Sequence, residues 1–333
     1  MKAVGYHAHG DVSVLEDIER PHPHPEVHDL VVEVRAVSVN PVDTKVRAGA
    51  VPSDGDSRVL GFDAAGVVRT VGPAVTLFRP GDEVFYAGAL NRPGSNAEFQ
   101  AVDERLVGRK PASLGFAEAA ALPLTSLTAW ELLFDRLRVT KESQGTLLVI
   151  NGAGGVGSVL IQLARQMTGL TVVATASRPE TAAWCREMGA HHVIDHHQPL
   201  DEALKGAGIE QADYVASLTG SDRHLPAIAR LIAPLGHLAL IDDPKQFDIV
   251  PLKAKSVTVS WELMFTRSLF QTPDMAKQNE ALNAVSDMVD AGTIRTTMQA
   301  NYGTIDAANL RRAHELLESG KSMGKVVLEG FPA

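Results

Sequence analysis

The spacing of apolar and polar residues divides the chain into a strand-rich beginning, a middle in which strands and helices alternate, and a mixed end. β-branched runs at 31–39 (VVEVRAVSV) and 66–72 (GVVRTVG) are bounded by proline, glycine and aspartate, which is typical of short strands joined by turns. A Pro-Gly-Asp turn precedes another strand within 78–88 (FRPGDEVFYAG). The first 110 residues are therefore predicted to form a β-rich, barrel-like region.

The middle of the chain follows a different pattern. Residues 116–134 are rich in alanine and leucine and indicate helices on either side of Pro123. The run TLLVI at 146–150 is wholly apolar, as in a buried parallel strand. Further strands then alternate with helices predicted over 180–188 and 222–233; the strand sequences are LTVVATA, HHVID, DYVASLT, HLALID and SVTVSW. This alternation predicts an α/β fold with a doubly wound parallel sheet.

The end of the chain returns to mixed structure, with a helix predicted near 275–291 and a closing strand, KVVLEG. An α/β domain is thus expected to be inserted into a β-rich one. The predicted boundaries are 1–122 with 265–333 for the β-rich domain and 123–264 for the inserted domain.

A glycine motif lies between the first strand and the first helix of the inserted domain. Gly152, Gly154 and Gly157 match G-x-G-x-x-G, whose glycines allow a tight turn, backbone approach to a pyrophosphate, and close packing of helix on strand. The helix N-terminus that follows can bind the anion through its free N–H groups. A dinucleotide site is predicted, and the alternative is a glycine-rich turn without a ligand.

The end of the second strand of this domain bears on the choice of dinucleotide. NAD sites carry an acidic residue there that holds the ribose 2′-hydroxyl. Here the strand ends in Ala176, Ser177 and Arg178, a hydroxyl and a guanidinium that suit a 2′-phosphate. NADPH is therefore favoured over NADH, unless Arg178 only caps a surface loop.

Charge and composition exclude several classes of partner. The net charge of the 333 residues is −9 and there is no basic block, so neither nucleic acid nor an anionic membrane is expected as a partner. The single cysteine, Cys185, excludes both an intramolecular disulfide and a zinc site of several thiolates. With no signal-like or membrane-spanning apolar stretch in the sequence, a cytoplasmic protein is expected.

The chain resembles the medium-chain dehydrogenase/reductase superfamily, and within it the quinone oxidoreductase branch, including its zinc-type alcohol dehydrogenase-like members. The segments that carry the resemblance are SVNPVDTKVRAG, LGFDAAGVV, FRPGDEVFYAG, RPGSNAEF, ALPLTSLTAWE, GGVGSVLIQLAR and WELMFTRSLFQTPDM. The resemblance implies a GroES-like β-barrel catalytic domain, a Rossmann domain, and a homodimer.

By position, the resemblance also implies roles for individual residues. Asn40 and Thr125 are expected at the nicotinamide, and Ser177 and Arg178 at the 2′-phosphate. The pyrophosphate is expected on the turn made of Gly152, Ala153, Gly154, Gly155, Val156 and Gly157. The residues expected to border or close the cofactor cleft are Thr219, Ile241, Phe265, Gly324 and Lys325. His196 occupies the place of a tyrosine that contacts the adenosine phosphate in relatives.

The metal ligands of zinc-dependent relatives are missing from the matching segments. A cysteine and a histidine are expected there, but Asn40 and Phe62 are present. No metal is therefore predicted. Adjacent histidines around the strand VID point to opposite faces, which favours solvated loop ends over a metal site.

Without a metal, a substrate that is already electrophilic is favoured, and the protein's task is to position it against the cofactor. Asp43, Lys45 and Tyr86 are candidate proton donors, although Asp43 could equally order the loop that bears it. Asn40 is expected to orient nicotinamide or substrate. The segment 261–265 forms either a pocket wall or ordinary core.

The leading hypothesis is a zinc-independent, NADPH-dependent reductase of quinones or α,β-unsaturated carbonyls, a small-molecule enzyme. One alternative is an alcohol dehydrogenase or aldehyde reductase of the zinc-type family. The other, of a different class, is a non-enzymatic NADPH-binding sensor or structural protein.

Overall fold

The structure is a computed structural model, and it describes residues 1–49 and 57–332. The chain divides into two compact units: unit 1 is Met1–Leu127 with Phe265–Ala333, and unit 2 is Thr128–Met264. The boundary predicted after residue 122 falls just before a helix, Pro123–Trp130, which begins in unit 1 and ends in unit 2.

The strands of the described residues are, in chain order, β1 (Lys2–Tyr6), β2 (Glu16–Glu19), β3 (Asp29–Ser38), β4 (Arg58–Val59), β5 (Ala64–Val71), β6 (Glu83–Tyr86), β7 (Phe99–Asp103), β8 (Val107–Arg109), β9 (Thr146–Ile150), β10 (Thr171–Thr175), β11 (His192–Ile194), β12 (Ala212–Ser217), β13 (Ile232–Leu240), β14 (Thr258–Trp261), β15 (Met298–Asn301) and β16 (Lys325–Glu329).

The α-helices are α1 (Pro41–Gly49), α2 (Phe116–Ala120), α3 (Pro123–Trp130), α4 (Gly155–Met167), α5 (Pro179–Glu187), α6 (Leu200–Gly206), α7 (Ser221–Leu231), α8 (Thr266–Leu269), α9 (Lys277–Asp290) and α10 (Ala307–Glu318). A π-helical segment, Glu131–Arg136, continues α3. Of the described helices, none is long and apolar enough to cross a membrane.

The main sheet of unit 1 has the strand order β15-β16-β3-β5-β6-β8, and β7 also pairs with β3. A small sheet, β2-β1-β4, accompanies it. The predicted strands at 31–39 and 66–72 correspond to β3 and β5, and the turn at 79–82 leads into β6 as expected. This order runs from β15 to β8 without joining the two ends, so the β-rich region is as predicted and the described strands do not form a closed ring.

The sheet of unit 1 is held together by the apolar side chains of its central strands. Val32, Val37 and Val68 are fully buried, as the β-branched runs of the sequence suggested. β16 comes from the end of the chain and pairs antiparallel with β3, with Val327 opposite Ser38. The end of the chain therefore rejoins the β-rich region, which the sequence pattern had predicted.

Unit 2 is a six-stranded parallel sheet with the order β11-β10-β9-β12-β13-β14. Counted along unit 2, this is the order 3-2-1-4-5-6 of doubly wound dinucleotide-binding folds. β9 is buried along its whole length, as its wholly apolar sequence indicated. The predicted α/β fold is confirmed, including the sixth strand, which begins at Thr258.

Candidate active site

The glycine motif forms the turn between β9 and α4, at the carboxyl edge of the sheet of unit 2. The backbone N–H groups of Asn151 and Gly152 donate to the side chain and the carbonyl of Thr175, at 2.9 and 3.1 Å. Asn151 has a positive φ of 67°, which turns the chain sharply out of the strand. The turn is thus fixed to the end of β10 by hydrogen bonds.

Two of the three glycines are required by the fold itself. A Cβ on Gly157 would lie 2.6 Å from the carbonyl oxygens of Asn151 and Gly152. A Cβ on Gly152 would lie 2.7 Å from the Cβ of Ala174. Backbone and core therefore leave no room for a side chain at either place.

The middle glycine has a different environment. The first atom that a Cβ on Gly154 would meet is the side-chain amide nitrogen of Asn151 at 3.1 Å, and that side chain can move. Packing alone therefore gives a weaker reason for glycine at this position. A phosphate group that approaches the backbone supplies a stronger one.

Helix α4 begins directly at this turn and is 13 residues long, with no acidic residue in its first turn. Its first N–H groups and its dipole can therefore attract an anion. The Ser158 hydroxyl donates to the carbonyl of Gly154 at 2.7 Å and accepts a hydrogen bond from the Trp184 indole at 2.8 Å. These two bonds tie the turn to α5.

Ser177 and Arg178 follow β10, where the sequence predicted recognition of a 2′-phosphate. The Arg178 side chain is 37 % exposed, and its Nε lies 3.1 Å from the Glu180 carboxylate. The Arg178 backbone N–H donates to the Thr181 hydroxyl, which fixes the start of α5. A cation is thus held at the strand end, with a solvent-exposed acid beside it.

His196 follows β11 at the same edge. Its ring centroid lies 5.0 Å from that of His197 and 6.4 Å from that of His224. The buried Nδ1 of His196 has no hydrogen-bond partner among the described residues. His224, in the first turn of α7, was not among the predicted site residues.

Thr219 and Ile241 follow β12 and β13, which are neighbouring strands in the sheet. Thr219 is exposed, and Ile241 is half-buried with its N–H donating to the Ser217 carbonyl at 3.3 Å. Unit 2 therefore brings the predicted turn, Ser177, Arg178, His196, Thr219 and Ile241 to one edge of one sheet, the carboxyl edge, where ligands of such folds bind.

In unit 1, Asn40, Asp63 and Lys325 form a buried polar network, and we use that name for these three residues. The Lys325 ammonium donates to Asp63 Oδ2 at 2.9 Å, to the Val39 carbonyl at 2.9 Å, and to Asn40 Oδ1. Asn40 Nδ2 donates to Asp63 Oδ2 at 2.8 Å. The other oxygen of Asp63 accepts from the Leu124 N–H at 2.7 Å.

The network uses both ends of the Asn40 carboxamide, which is buried with Lys325 and Asp63. Burial raises the pKa of Asp63, whereas the ammonium of Lys325 lowers it. Asp63 was not among the predicted site residues. The only sequence signal was its place after Phe62, in the segment that matches the family.

Asp43 lies beside this network and is also buried. Its two oxygens accept hydrogen bonds from the backbone N–H groups of Asn40, at 2.8 Å, and Gly61, at 3.0 Å. Burial raises the pKa of Asp43 to about 7, and the two backbone bonds oppose that rise. The carboxyl group therefore orders the loop before α1, which is the structural role left open above.

The other candidate proton donors lie elsewhere. Tyr86 ends β6, and its buried hydroxyl has no hydrogen-bond partner within the described ranges. Burial raises the pKa of Tyr86, so the phenol stays protonated. Lys45 is exposed on α1. Of the three predicted catalytic residues, the structure brings Asn40 and Asp43 together and shows no hydrogen bond from either to Tyr86.

The remaining predicted residues of unit 1 are mostly fixed by packing. The Thr125 hydroxyl donates to the Leu122 carbonyl at 3.0 Å. The buried ring of Phe265 meets Phe62 edge to face, with centroids 5.4 Å apart. Gly324 has a positive φ of 53°, a conformation that favours glycine and turns the chain into β16.

A zinc ion bound as in zinc-dependent relatives would need ligands at the positions of Asn40 and Phe62. A catalytic zinc needs about three protein ligands, but Asn40 is engaged in the network and Phe62 is packed against Phe265. Burial raises the pKa of the Cys185 thiol to about 12. Over residues 1–49 and 57–332, no three His, Cys, Asp or Glu side chains converge as a metal site requires. The residues at the expected ligand positions do not fit zinc.

Two known protein families match this chain, one in its first half and one in its second half. Residues 26–131 match the alcohol dehydrogenase GroES-like domain, and residues 188–328 match the family called zinc-binding dehydrogenase. The chain is 43 % identical to the zinc-type alcohol dehydrogenase-like protein SAS2087 of Staphylococcus aureus over 93 % of both chains. It is 30 % identical to the 2-methylene-furan-3-one reductase of Solanum lycopersicum, over 100 % of this chain and 80 % of that protein.

Solved structures of related proteins match this chain over nearly its whole length. A Rhizobium etli protein described provisionally as a zinc-dependent alcohol dehydrogenase shares 56 % identity, with a TM-score of 0.96 over 100 % of this chain and 99 % of that one. The Escherichia coli quinone oxidoreductase, solved in complex with NADPH, shares 25 % identity with a TM-score of 0.84 over 99 % and 100 % of the two chains. The chain therefore belongs to the medium-chain dehydrogenase/reductase superfamily of oxidoreductases, and both the family and the α/β fold predicted from the sequence are confirmed.

Proposed function

We propose that this protein is a zinc-independent reductase that uses NADPH to reduce quinones or α,β-unsaturated carbonyls. The observation that carries the proposal is that the chain has both a complete glycine turn, in unit 2, and a buried polar network, in unit 1, whose Asn40 stands at the expected metal-ligand position. Asn40 lies where zinc-dependent relatives need a ligand, and its side chain is held by Lys325 and Asp63.

The chemistry follows from what these residues can supply. Bound NADPH would provide the hydride, held by its pyrophosphate on the turn from Gly152 to Gly157 and the N-terminus of α4. A conjugated carbonyl or quinone is already electrophilic, so it needs positioning more than strong polarisation. An alcohol substrate would need a Lewis acid or a base, and the residues present do not fit the zinc that would serve.

Asp43 and Asn40 are proposed as positioning residues of this site. Both oxygens of Asp43 accept backbone hydrogen bonds, and both ends of the Asn40 amide are engaged, so these groups shape the loop from residue 38 to residue 43. The proton that completes the reduction is then taken from water. The preference for NADPH rests on Ser177 and Arg178, which follow β10 at the place where NAD sites carry an acidic residue.

Relatives support the class of substrate. The Solanum lycopersicum relative is named a 2-methylene-furan-3-one reductase, and the Escherichia coli structure is that of a quinone oxidoreductase with NADPH. The homodimer remains a prediction from the family.

The test is a steady-state assay that follows loss of the reduced nicotinamide with a panel of quinones and enones, with and without EDTA. We expect turnover that the chelator does not change, with NADPH preferred over NADH. Activity that EDTA abolishes and zinc restores would establish the alcohol dehydrogenase alternative. Tight NADPH binding without turnover on any acceptor would favour the sensor instead.

Arg178→Gln provides the matched variant for the cofactor. We expect it to raise KM for NADPH by roughly tenfold and to leave KM for NADH unchanged, because a charge-assisted hydrogen bond to phosphate is lost. Arg186→Gln, in the last turn of the helix α5 that Arg178 precedes, is the control. Equal effects of Arg178→Gln on both cofactors would remove Arg178 from the 2′-phosphate site.

A further inference from the structure

Two buried glutamates of unit 2 belong to the same short sequence pattern. Residues 130–134 read WELLF and residues 261–265 read WELMF, so Glu131 and Glu262 each follow a tryptophan. Their side chains are 4 % and 0 % exposed. Glu131 begins the π-helical segment after α3, and Glu262 follows β14. Two acids from distant parts of the chain are therefore both withdrawn from solvent.

One arginine contacts both carboxyl groups. The Nε of Arg136 lies 2.7 Å from Oε2 of Glu262, and its Nη2 lies 3.9 Å from Oε2 of Glu131. Hydrogen bonds in a π-helix join residues five apart, which brings residues of that spacing onto one side of the segment. Glu131 and Arg136 have this spacing. The Arg136 side chain is 30 % exposed, so solvent reaches the cation but hardly reaches the two acids.

The backbone anchors both sides of this group to one strand, β13. The N–H of Glu262 donates to the Leu240 carbonyl at 2.9 Å, directly after the pairing of Leu240 with Trp261. The π-helical segment packs against β13 as well. The two glutamates are therefore brought together by main-chain bonds and packing, whatever charge they carry.

The charges of this group balance only if one proton is retained. Two carboxylates and one guanidinium would leave a net negative charge in the interior, which is unfavourable. Among the described residues, no N–H or hydroxyl group donates to the buried Oε1 of Glu262. A carboxyl group can donate a hydrogen bond only when it is protonated. One proton shared between Glu131 and Glu262 therefore supplies the missing hydrogen bond and makes the group neutral.

The titration of Glu262 agrees with this charge count. Burial raises its pKa, and the charge of Glu131 and a hydrogen bond with Glu131 raise it further, whereas Arg136 opposes the change. The neighbouring strands add little charge. β14 has the sequence TVSW, and the titratable residue of β13, His237, lies opposite Thr258 at the other end of the pairing.

The group lies close in sequence to both places where the chain passes between the units. The chain enters unit 2 at Thr128 and leaves it at Met264. Glu131 lies within the first turn after the entry, and Glu262 lies just before the exit. A hydrogen bond between these two side chains therefore joins the entering segment to the leaving segment.

We propose that Glu131, Glu262 and Arg136 form a proton-retaining clamp, which holds together the two chain segments that connect unit 2 to unit 1. With its proton the clamp is neutral and hydrogen-bonded. In alkaline solution, hydroxide removes the shared proton as water, and two carboxylates then repel each other beside one cation, so the segments loosen. No other covalent bond changes. The clamp acts with any nicotinamide cofactor, so its failure would leave the proposed function untouched.

The direction of the pH dependence follows from linkage. The folded protein keeps a proton that the unfolded chain releases near the ordinary pKa of glutamate. Stability from this group is therefore present at acidic pH and is lost as pH rises towards the raised pKa. Buried glutamates can have pKa values of about 8–9, so we expect the clamp to open between about pH 7 and about pH 10.

Tryptophan fluorescence of the full-length protein tests the opening, because Trp130 and Trp261 adjoin the two glutamates. Their rings pack edge to face on Phe134 and Phe247, with centroids 4.9 and 5.8 Å apart. We expect a reversible shift of the emission to longer wavelength between about pH 7 and about pH 10. Glu262→Gln should abolish the shift, because glutamine can donate to Glu131 without a titrating proton. The same alkaline shift in variant and wild type would overturn the proposal.

Infrared spectroscopy at neutral pH tests the proton itself, since a protonated carboxyl group has a carbonyl band distinct from that of a carboxylate. The wild type should show a band that both Glu131→Gln and Glu262→Gln lack, because either change leaves one carboxylate opposite Arg136. Glu202→Gln, exposed on α6, is the control and should keep both the band and the alkaline shift. Identical carbonyl bands in the wild type and both clamp variants would contradict a shared proton.

Thermal unfolding distinguishes the clamp from a site that needs two ionised acids. Each glutamine variant keeps a hydrogen bond and needs no proton, so its Tm at neutral pH should equal or exceed that of the wild type. As pH rises, the Tm of the wild type should fall more than that of either variant. If both glutamine variants unfold or lose stability at neutral pH, the two negative charges are required and the proposal is wrong.

Discussion

The glycine turn of unit 2 and the buried polar network of unit 1 differ in what determines their geometry. The turn is formed by the consecutive residues 151–157, and its geometry comes from backbone that no side chain obstructs. The network joins Asn40, Asp63 and Lys325, and the bond from Lys325 to Asn40 spans 285 residues of sequence. Its geometry comes from charged and polar side chains that the core encloses.

This difference has energetic consequences. A backbone turn can satisfy its own polar groups and is damaged mainly by added bulk. A buried network depends on each partner, because removal of one leaves another charged or polar group without compensation. The predictions below test that contrast, from the largest expected effect to the smallest.

The largest effect is expected for Lys325→Met, which removes the cation of the network. The Asp63 carboxylate would remain buried without its counter-charge, and the Asn40 Oδ1 would lose its donor. We expect the free energy of unfolding to fall by about 3–5 kcal/mol, measured by urea denaturation. Asp63→Asn with Lys325→Met should recover part of this loss. If the double variant is as unstable as the sum of the single ones, the two residues do not act as a pair.

Asp43→Asn tests the carboxyl group beside the network. The pKa of Asp43 is raised from 3.8 to about 7, so between these values the folded protein binds more protons than the unfolded chain. Stability from this group is therefore present at low pH and lost as pH rises from about 4 to about 7, by up to roughly 4 kcal/mol. In Asp43→Asn this component of the pH dependence should disappear. Parallel stability curves for variant and wild type between pH 5 and pH 8 would show that Asp43 is not the titrating group.

Gly157→Ala tests the turn. The added Cβ would lie 2.6 Å from two carbonyl oxygens, so the backbone must shift. We expect a loss of about 1–3 kcal/mol in stability and at least roughly tenfold weaker NADPH binding, measured by nicotinamide fluorescence. Gly206→Ala is the control, since a Cβ at that helical position meets nothing within 4 Å. Alanine there should leave stability equal or slightly higher. Similar losses of stability and NADPH binding in both variants would show that steric exclusion at Gly157 is not the reason for glycine there.

Ser158→Ala is expected to have the smallest effect. It removes the Ser158 hydroxyl, which donates to the Gly154 carbonyl of the turn and accepts a hydrogen bond from the Trp184 indole. We expect a loss of about 1–2 kcal/mol in thermal unfolding, with cofactor binding nearly unchanged. A large loss of NADPH binding would instead show that the turn needs the side-chain contact with α5 to keep its geometry.

The same contrast explains which parts of the molecule could be predicted from the sequence. Gly152, Gly154 and Gly157 are close in sequence, and their spacing reflects local geometry, so the turn between strand and helix was foreseen. The order of elements in unit 2 was foreseen for a similar reason, because wholly apolar strands and helical periods are local patterns.

The network was not foreseen, because its partners come from three distant places: Asn40 from the loop before α1, Asp63 from the residue before β5, and Lys325 from β16. Lys325 was assigned to the cofactor cleft from family position, and its hydrogen bond to Asp63 was not part of that prediction. Nothing in the sequence around Asp63 or Asn40 indicates that these residues share a lysine. Long-range pairing of polar groups depends on which strands become neighbours, and the composition of a segment does not record that.

The pairing of β16 with β3 bears on the order of events during synthesis. The edge of β3 at residues 36–38 receives its partner from residues 327–329. At roughly 5–20 residues per second, a ribosome needs on the order of tens of seconds to supply that partner after β3 has emerged. All of unit 2 is translated within this interval and can fold first. Until then, residues 36–38 of β3 lack their partner strand β16. The Asp63 carboxylate also lacks the Lys325 ammonium that bonds to it in the folded protein. A nascent chain of this kind is most exposed to aggregation and most in need of a chaperone just before its last strand arrives.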